Sequence, residues 1–281
     1  MATYCSKGDR LIDNTVPPKA LGTVAGGNAG SGLSSFWSDC PLAASQIDPA
    51  VGYGIQDDFT NVGLIGTITT IISDAGLPGW LCFGDTGATI VPDALVGGGL
   101  ALTNDTTDDD QVSIAGKSQP FRIEATQGDL WFEARVKVNS VTTEVAGFVL
   151  GLMGITAQTT AVPMITNTGE LANIDFIGFN KRNVATTTPV SVYKNIGGTE
   201  AAVTVGAVLA ADTYINLGFK FKDGVLKFYQ NGTLTSTLSA ATVALAAFPN
   251  NVTLRPVAAV MNGTSAASIL TLDWIKCFQT R

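Results

Sequence analysis

Histidine is absent from this sequence, so the side chains able to do chemistry are 23 carboxylates, 16 lysines and arginines, and four cysteines. That removes Ser-His-Asp and Cys-His nucleophiles, histidine general bases, and the imidazole ligand sets of zinc, copper and non-haem iron. Carboxylate-only chemistry, lysine chemistry, oxygen-ligated metals and no chemistry remain. The last ranks first, and neither cofactor nor metal is expected.

The carboxylates are not spaced for hydrolysis. Glu170 and Asp175 stand five apart, on opposite faces of any strand, and no third acid follows them. Asp105, Asp108, Asp109 and Asp110 could offer oxygens to Ca²⁺, but they lack the D-x-D-x-D-G spacing of a calcium loop, and a solvated turn is the expected reading. Gly97-Gly98-Gly99 is not followed by a helix bearing Lys-Ser or Lys-Thr, so it reads as a turn and not a phosphate cradle. Cys5, Cys40, Cys82 and Cys277 have no C-x-x-C spacing and read as thiols. The first ten residues lack an apolar h-region, so export and disulfide formation are not expected.

The net charge of −7 disfavours nucleic acid and anionic membranes as partners. The longest apolar run, residues 145–155, is too short to span a bilayer. Neither partner is expected. Charged residues are only 14% of the chain, against about 25% in typical proteins.

Two textures divide the chain. Residues 1–56 contain Pro17-Pro18 and a Gly/Ala/Ser-rich stretch with little hydrophobic period, which reads as an extended arm. Phe36, Trp37 and Leu42 are its candidate docking points. From residue 57 onward, strand-like segments alternate with Gly, Asn, Asp and Thr turns. Leu130, Phe132, Ala134, Val136 and Val138 fall on one strand face, with Trp131, Glu133, Arg135 and Lys137 on the other. Residues 145–155 are apolar on both faces, as in a covered central strand.

Asp223-Gly224 and Asn231-Gly232 are type I′ turn signals. They predict a three-stranded meander with Lys222 opposite Val225, Phe219 opposite Phe228 and Gln230 opposite Thr233. One face then holds Ile215, Leu217, Phe219, Phe221, Leu226 and Phe228. The other holds Lys220, Lys222, Lys227 and Tyr229, a small cationic cluster suited to a carboxylate on a partner. Residues 252–260 and 267–278 flank Asn262-Gly263-Thr264 and are expected to form a terminal hairpin, with Leu270, Leu272 and Trp274 sharing a face.

Three segments carry a resemblance. Residues 129–138 (DLWFEARVKV) resemble the "fEaRvKv" strand of concanavalin A-like jelly rolls, among them laminarin-degrading glucanases. Residues 268–276 (SILTLDWIK) resemble their closing strand, and the 219–229 hairpin is similar to laminin G-like relatives. The resemblance implies an all-β, antiparallel jelly-roll sandwich over residues 57–281, preceded by the arm. Those glucanases carry E-x-D-x-x-E on one strand, which puts three carboxylates around the sugar. This chain has no such run, so no enzyme is expected.

An arm joined to one jelly roll also resembles decoration proteins of tailed-phage heads. A soluble surface needs ~25–35% charged residues, and the neutral exterior implied here is explained if other proteins cover it. The expectation is a structural virion protein on the head surface, made in the host cytoplasm. Its partners would be the major capsid protein and copies of itself, as a homotrimer, gripped through Phe36, Trp37, Leu42, Lys220, Lys222, Lys227 and Tyr229. The alternative is a lectin-like module of a phage tail or adhesin, binding a glycan through Trp131, Glu133 and Arg135.

Overall fold

The computed structural model describes residues 36–62, 66–67, 72–73, 77–93, 98–141, 146–154, 163–164, 168–182, 188–206, 208–263 and 266–281. The chain divides into two units, Met1–Cys40 and Pro41–Arg281. Of the first, residues 36–40 are described, with Phe36 and Trp37 buried and their rings edge-to-face at 5.4 Å. Most of the segment read as an arm lies outside the described residues.

The second unit opens with a single-turn helix, α1 (Leu42–Ser45), and is otherwise built of strands. In chain order these are β1 (Gly52–Asp57), β2 (Gly66–Thr67), β3 (Ile72–Ser73), β4 (Trp80–Gly84), β5 (Thr89–Pro92), β6 (Leu100–Thr103), β7 (Gln111–Gly116), β8 (Leu130–Val138) and β9 (Gly147–Gly154). There follow β10 (Asp175–Lys181), β11 (Val190–Lys194), β12 (Ala201–Val205), β13 (Ile215–Lys222), β14 (Val225–Gln230), β15 (Thr233–Leu238), a short α2 (Ala240–Val243), β16 (Arg255–Met261) and β17 (Ile269–Thr280).

Among the described residues the strands form two antiparallel sheets that face each other as a sandwich. The first runs β15-β14-β13-β8-β17-β6-β5-β2, with β1 also on β17; the second runs β12-β11-β10-β9-β16-β7-β4-β3. β1 is formed by the last residues of the segment read as an arm plus Asp57, and it pairs Gly52 with Thr280 through to Asp57 with Ile275.

The core between the sheets follows from strand period. Phe132 of β8 stacks on Phe219 of β13 at 4.9 Å, and Phe219 meets Phe228 of β14 at 5.8 Å. Phe179 of the second sheet closes on Phe228 edge-to-face at 5.7 Å. All the residues predicted for the inner faces of 130–138 and 215–228 lie in this core. The meander has the predicted registers, Lys222 opposite Val225, Phe219 opposite Phe228 and Gln230 opposite Thr233. Asp223 and Asn231 have φ of 52° and 50°, and the glycines after them 76°, as a type I′ turn requires. β9 is buried at every residue, as its two apolar faces implied.

The expected terminal hairpin does not form. β16 pairs with β7 and β9 in the second sheet, whereas β17 lies in the first between β8 and the pair β6 and β1. β16 is buried on both faces, which demands a central place in a covered sheet. Asn262 makes no hairpin turn but donates to the carbonyls of Asp105 and Thr107. Trp274 also leaves the face expected for it. A register shift at Asp273 puts Leu270 and Leu272 in the core before it and Ile275 and Cys277 after it.

Phe219 is fully buried between two rings. Phe219→Ala is expected to lower unfolding free energy by ~3–5 kcal/mol, measured as a shift of the denaturant midpoint at unchanged slope.

Candidate functional site

The outer face of the first sheet gathers both sets of residues that the sequence offered separately. Cross-strand pairing sets Trp131 against Lys220, Glu133 against Gly218 and Arg135 against Asn216. One strand further, Lys220 faces Lys227 and Gly218 faces Tyr229. On the other flank, Phe278, Lys276 and Trp274 face Trp131, Glu133 and Arg135. Gly218 is required at the centre, because a Cβ there would lie 2.8 Å from the Phe132 carbonyl oxygen and 3.1 Å from the Glu133 side chain.

Three aromatic rings on this face are each covered by a cation. Lys220 Nζ lies 5.7 Å from the Trp131 centroid, Lys276 Nζ 4.7 Å from Trp274, and the Arg135 guanidinium 4.2 Å from Tyr214, with Lys137 also 5.1 Å from that ring. Such contacts contribute about 0.5–2 kcal/mol each. Arg135 is also ion-paired with Asp273, and Lys222 with Asp129 at 3.5 Å. Burial, then the charges of Asp93 and Asp273, push the Tyr214 hydroxyl up to about 12, so it stays protonated.

Exposure sorts the predicted residues. Trp131 and Glu133 are 1% and 2% exposed, so Trp131 offers no open platform to a sugar ring. The ring packs beside Phe278 at 6.1 Å. Arg135, Lys220, Lys222 and Tyr229 are half-buried and Lys227 is exposed. Phe36 and Trp37 are buried, and Leu42 is half-buried at the start of α1. Trp274 and Lys276 were missed, since only the bulge at Asp273 turns them to this face. Tyr214 carries no strand signal of its own.

The outer face of the second sheet is apolar and covered by the chain itself. Met164, Leu171 and Ile174 pack on Val149, Met153, Phe176, Val192 and Val257. Lys194 Nζ donates to the Leu171 carbonyl at 2.7 Å, Gln111 Nε2 to that of Met164 at 3.0 Å, and Asn180 Nδ2 to that of Gly169 at 3.1 Å. Glu170 pairs with Arg182 at 2.9 Å, and Asp175 accepts the Ile196 N–H at 2.9 Å. Glu200 also pairs with Arg182, at 3.1 Å, so Glu170 and Glu200 meet just past the end of β10 while Asp175 sits at its start.

The acidic run lies in a turn, with Asp108 exposed and Asp105, Asp109 and Asp110 half-buried. The Asp105 and Asp110 side chains are hydrogen-bonded to each other, and Asp85 accepts the Gln111 N–H at 2.8 Å. Burial, followed by Asp105, Asp85 and Asp109, pushes Asp110 up to about 7, while hydrogen bonds from Thr107 hold Asp105 below the usual range. Among the described residues no group of three or more acids and cysteines is placed to hold a metal ion.

With these faces defined, the comparisons with known proteins bear on the scaffold. Peanut lectin, solved with a 9-mer peptide, superposes with a TM-score of 0.54 at 12% identity, covering 82% of this chain and 98% of the lectin. The potassium-bound carbohydrate recognition domain of Emp46p gives 0.52 at 10%, covering 79% and 98%. The protein of unknown function SO2946 from Shewanella oneidensis MR-1 gives 0.52 at 15%, covering 82% and 87%. The fold is a concanavalin A-like jelly roll. No protein-family model matches the chain, and no curated protein matches its sequence. Of the two likenesses read in the sequence, the jelly roll is supported, and capsid decoration gains nothing from these relatives.

The raised Asp110 fixes a sign for pH dependence. The folded chain binds this proton more tightly than the unfolded one, so its contribution to stability is full below about pH 4 and is lost as pH rises through about 7. Asp110→Asn is expected to raise Tm by a few degrees at pH 8 and to change it little at pH 4, measured by thermal denaturation across that range.

Proposed function

We propose that this chain is a lectin-like saccharide-binding module that engages its ligand through the outer face of the first sheet and favours acidic saccharides. One observation carries the reading. Arg135, Lys137, Lys220, Lys222, Lys227 and Lys276, six of the chain's 16 lysines and arginines, converge on one face of a protein of net charge −7, and four of them lie against aromatic rings. Likeness of fold to lectin domains supports the class of ligand, and the face supplies the charge preference. Neutral sugars commonly stack on open rings, and Trp131 at the centre of this face is buried. Sulfate or carboxylate groups match its ammonium and guanidinium donors.

No turnover is assigned to the chain, because Glu170 is paired with Arg182 and Asp175 accepts the Ile196 N–H. A virion role rests on charge content and on the likeness of an arm joined to one jelly roll.

An array of acidic and neutral oligosaccharides tests the proposal. Binding to acidic members is expected, weakening as salt is raised. Lys220→Glu with Lys227→Glu is expected to lower the affinity at least tenfold by calorimetry, while the melting temperature holds. Absence of binding across the array, or equal binding by the charge-reversed variant, would overturn it.

A further inference from the structure

Three cations of the second sheet are buried, and two of them end on main-chain carbonyls. Lys181 Nζ donates to Ala146 O at 2.7 Å and Lys194 Nζ to Leu171 O at 2.7 Å. Arg255 is different. Its side chain is fully buried and Nη1 donates to Gly116 O at 3.2 Å, yet among the described residues Nε and Nη2 have no hydrogen-bond partner. Burial shifts its titration downward. An arginine remains charged even so. Leaving that charge buried with two donors unmet is among the most unfavourable arrangements a folded chain retains.

Arg255 opens β16, opposite Met153, on the same face as Val257, so its strand neighbours on that face are apolar. The two unmet donors are not scattered. Nε–H and Nη2–H form one edge of the guanidinium, parallel and spaced to meet two oxygens of one planar anion, while Nη1 is held by the main chain. A singly charged anion neutralises one guanidinium, whereas a dianion would bury an excess charge. We propose that this edge of Arg255 binds the carboxylate of a small ligand, an organic acid or an acidic sugar residue, through paired hydrogen bonds to Nε and Nη2. Gly116, whose carbonyl holds Nη1, runs into Lys117 and Ser118. Both are exposed, and we assign that end of β7 as the way in. The site lies on the other sheet and does not depend on the saccharide reading above.

The test uses the whole chain labelled with ¹⁵N-arginine, with the Arg255 Nε–H signal identified by its loss in Arg255→Lys. Sodium acetate, sodium glucuronate, glucose and sodium sulfate are added in turn at constant ionic strength. The signal is expected to shift downfield and to exchange more slowly with one or both carboxylates, and to stay in place with glucose and sulfate. A response to acetate and glucuronate assigns any small carboxylate, and a response to glucuronate alone assigns one borne on a sugar. A response to sulfate alone, or none to any of the four, overturns the proposal and leaves the donors to buried water. Arg255→Met is expected to raise the melting temperature of the free protein and to abolish the rise that the responding carboxylate produces in the wild type. Arg255→Lys, which keeps the charge but not the paired edge, is expected to lose at least tenfold in affinity. Undiminished carboxylate binding by either variant overturns the proposal. Should a variant fail to fold, the wild-type titration decides.

Discussion

Everything on the first sheet depends on the direction in which Phe132, Phe219 and Phe228 point. Side chains alternate along a strand, so once these three rings meet at 4.9 and 5.8 Å inside the sandwich, Trp131, Glu133, Lys220, Lys227 and Tyr229 are turned outward. A slip of one residue in β13 would drive Lys220 and Lys222 into the core and expel Phe219 and Phe221. The turns at Asp223-Gly224 and Asn231-Gly232 hold the same register independently, with positive φ at all four residues. Ring packing and turn geometry thus specify one arrangement, and the cationic face is its consequence.

How much of this was legible follows from what each signal reports. A type I′ turn and a two-residue alternation are local, so the meander and the inner face of 130–138 could be read directly. A bulge is not local in that sense. Asp273 is the extra residue opposite β8, and nothing in Ile269-Leu-Thr-Leu-Asp-Trp-Ile275 announces that Trp274 joins the outer face there. Asn262-Gly263 looks like a hairpin turn, but the Asn262 side chain is committed to the 105–107 carbonyls, a contact across more than 150 residues. Alternation also predicts only that Trp131 points outward. Whether it is exposed depends on Phe278 and Lys220, which arrive from distant strands.

The scarcity of charge acquires a simpler explanation than a covering of partner proteins. In the second sheet β7, β9, β10 and β16 are buried at every residue, because the core lies on one side and Met164, Leu171 and Ile174 cover the other. A sheet buried on both faces needs neutral residues throughout, as a covered parallel sheet does. Much of the Gly, Ala, Val and Met content is therefore inside. A composition with only 14% charge no longer requires a lattice of neighbours to hide the exterior.

What charge the chain does have is unevenly spent on its surface, and the first sheet's face is the clearest case. Lys220 and Lys227 sit directly opposite each other across β13 and β14, an arrangement that is unfavourable for two like charges. The Trp131 ring beneath Lys220 eases this in part, since the ring's negative face attracts the ammonium and its bulk holds the stem in place. A lysine restrained in that way has little rotamer freedom left to lose when it meets an anion, which lowers the entropic cost of binding. An anionic group set between Lys220 and Lys227 would turn the repulsive pair into two attractive ones. Under the saccharide proposal, a neutral ligand would leave the repulsion untouched and find the Trp131 ring already covered, so discrimination by charge would precede any finer contact.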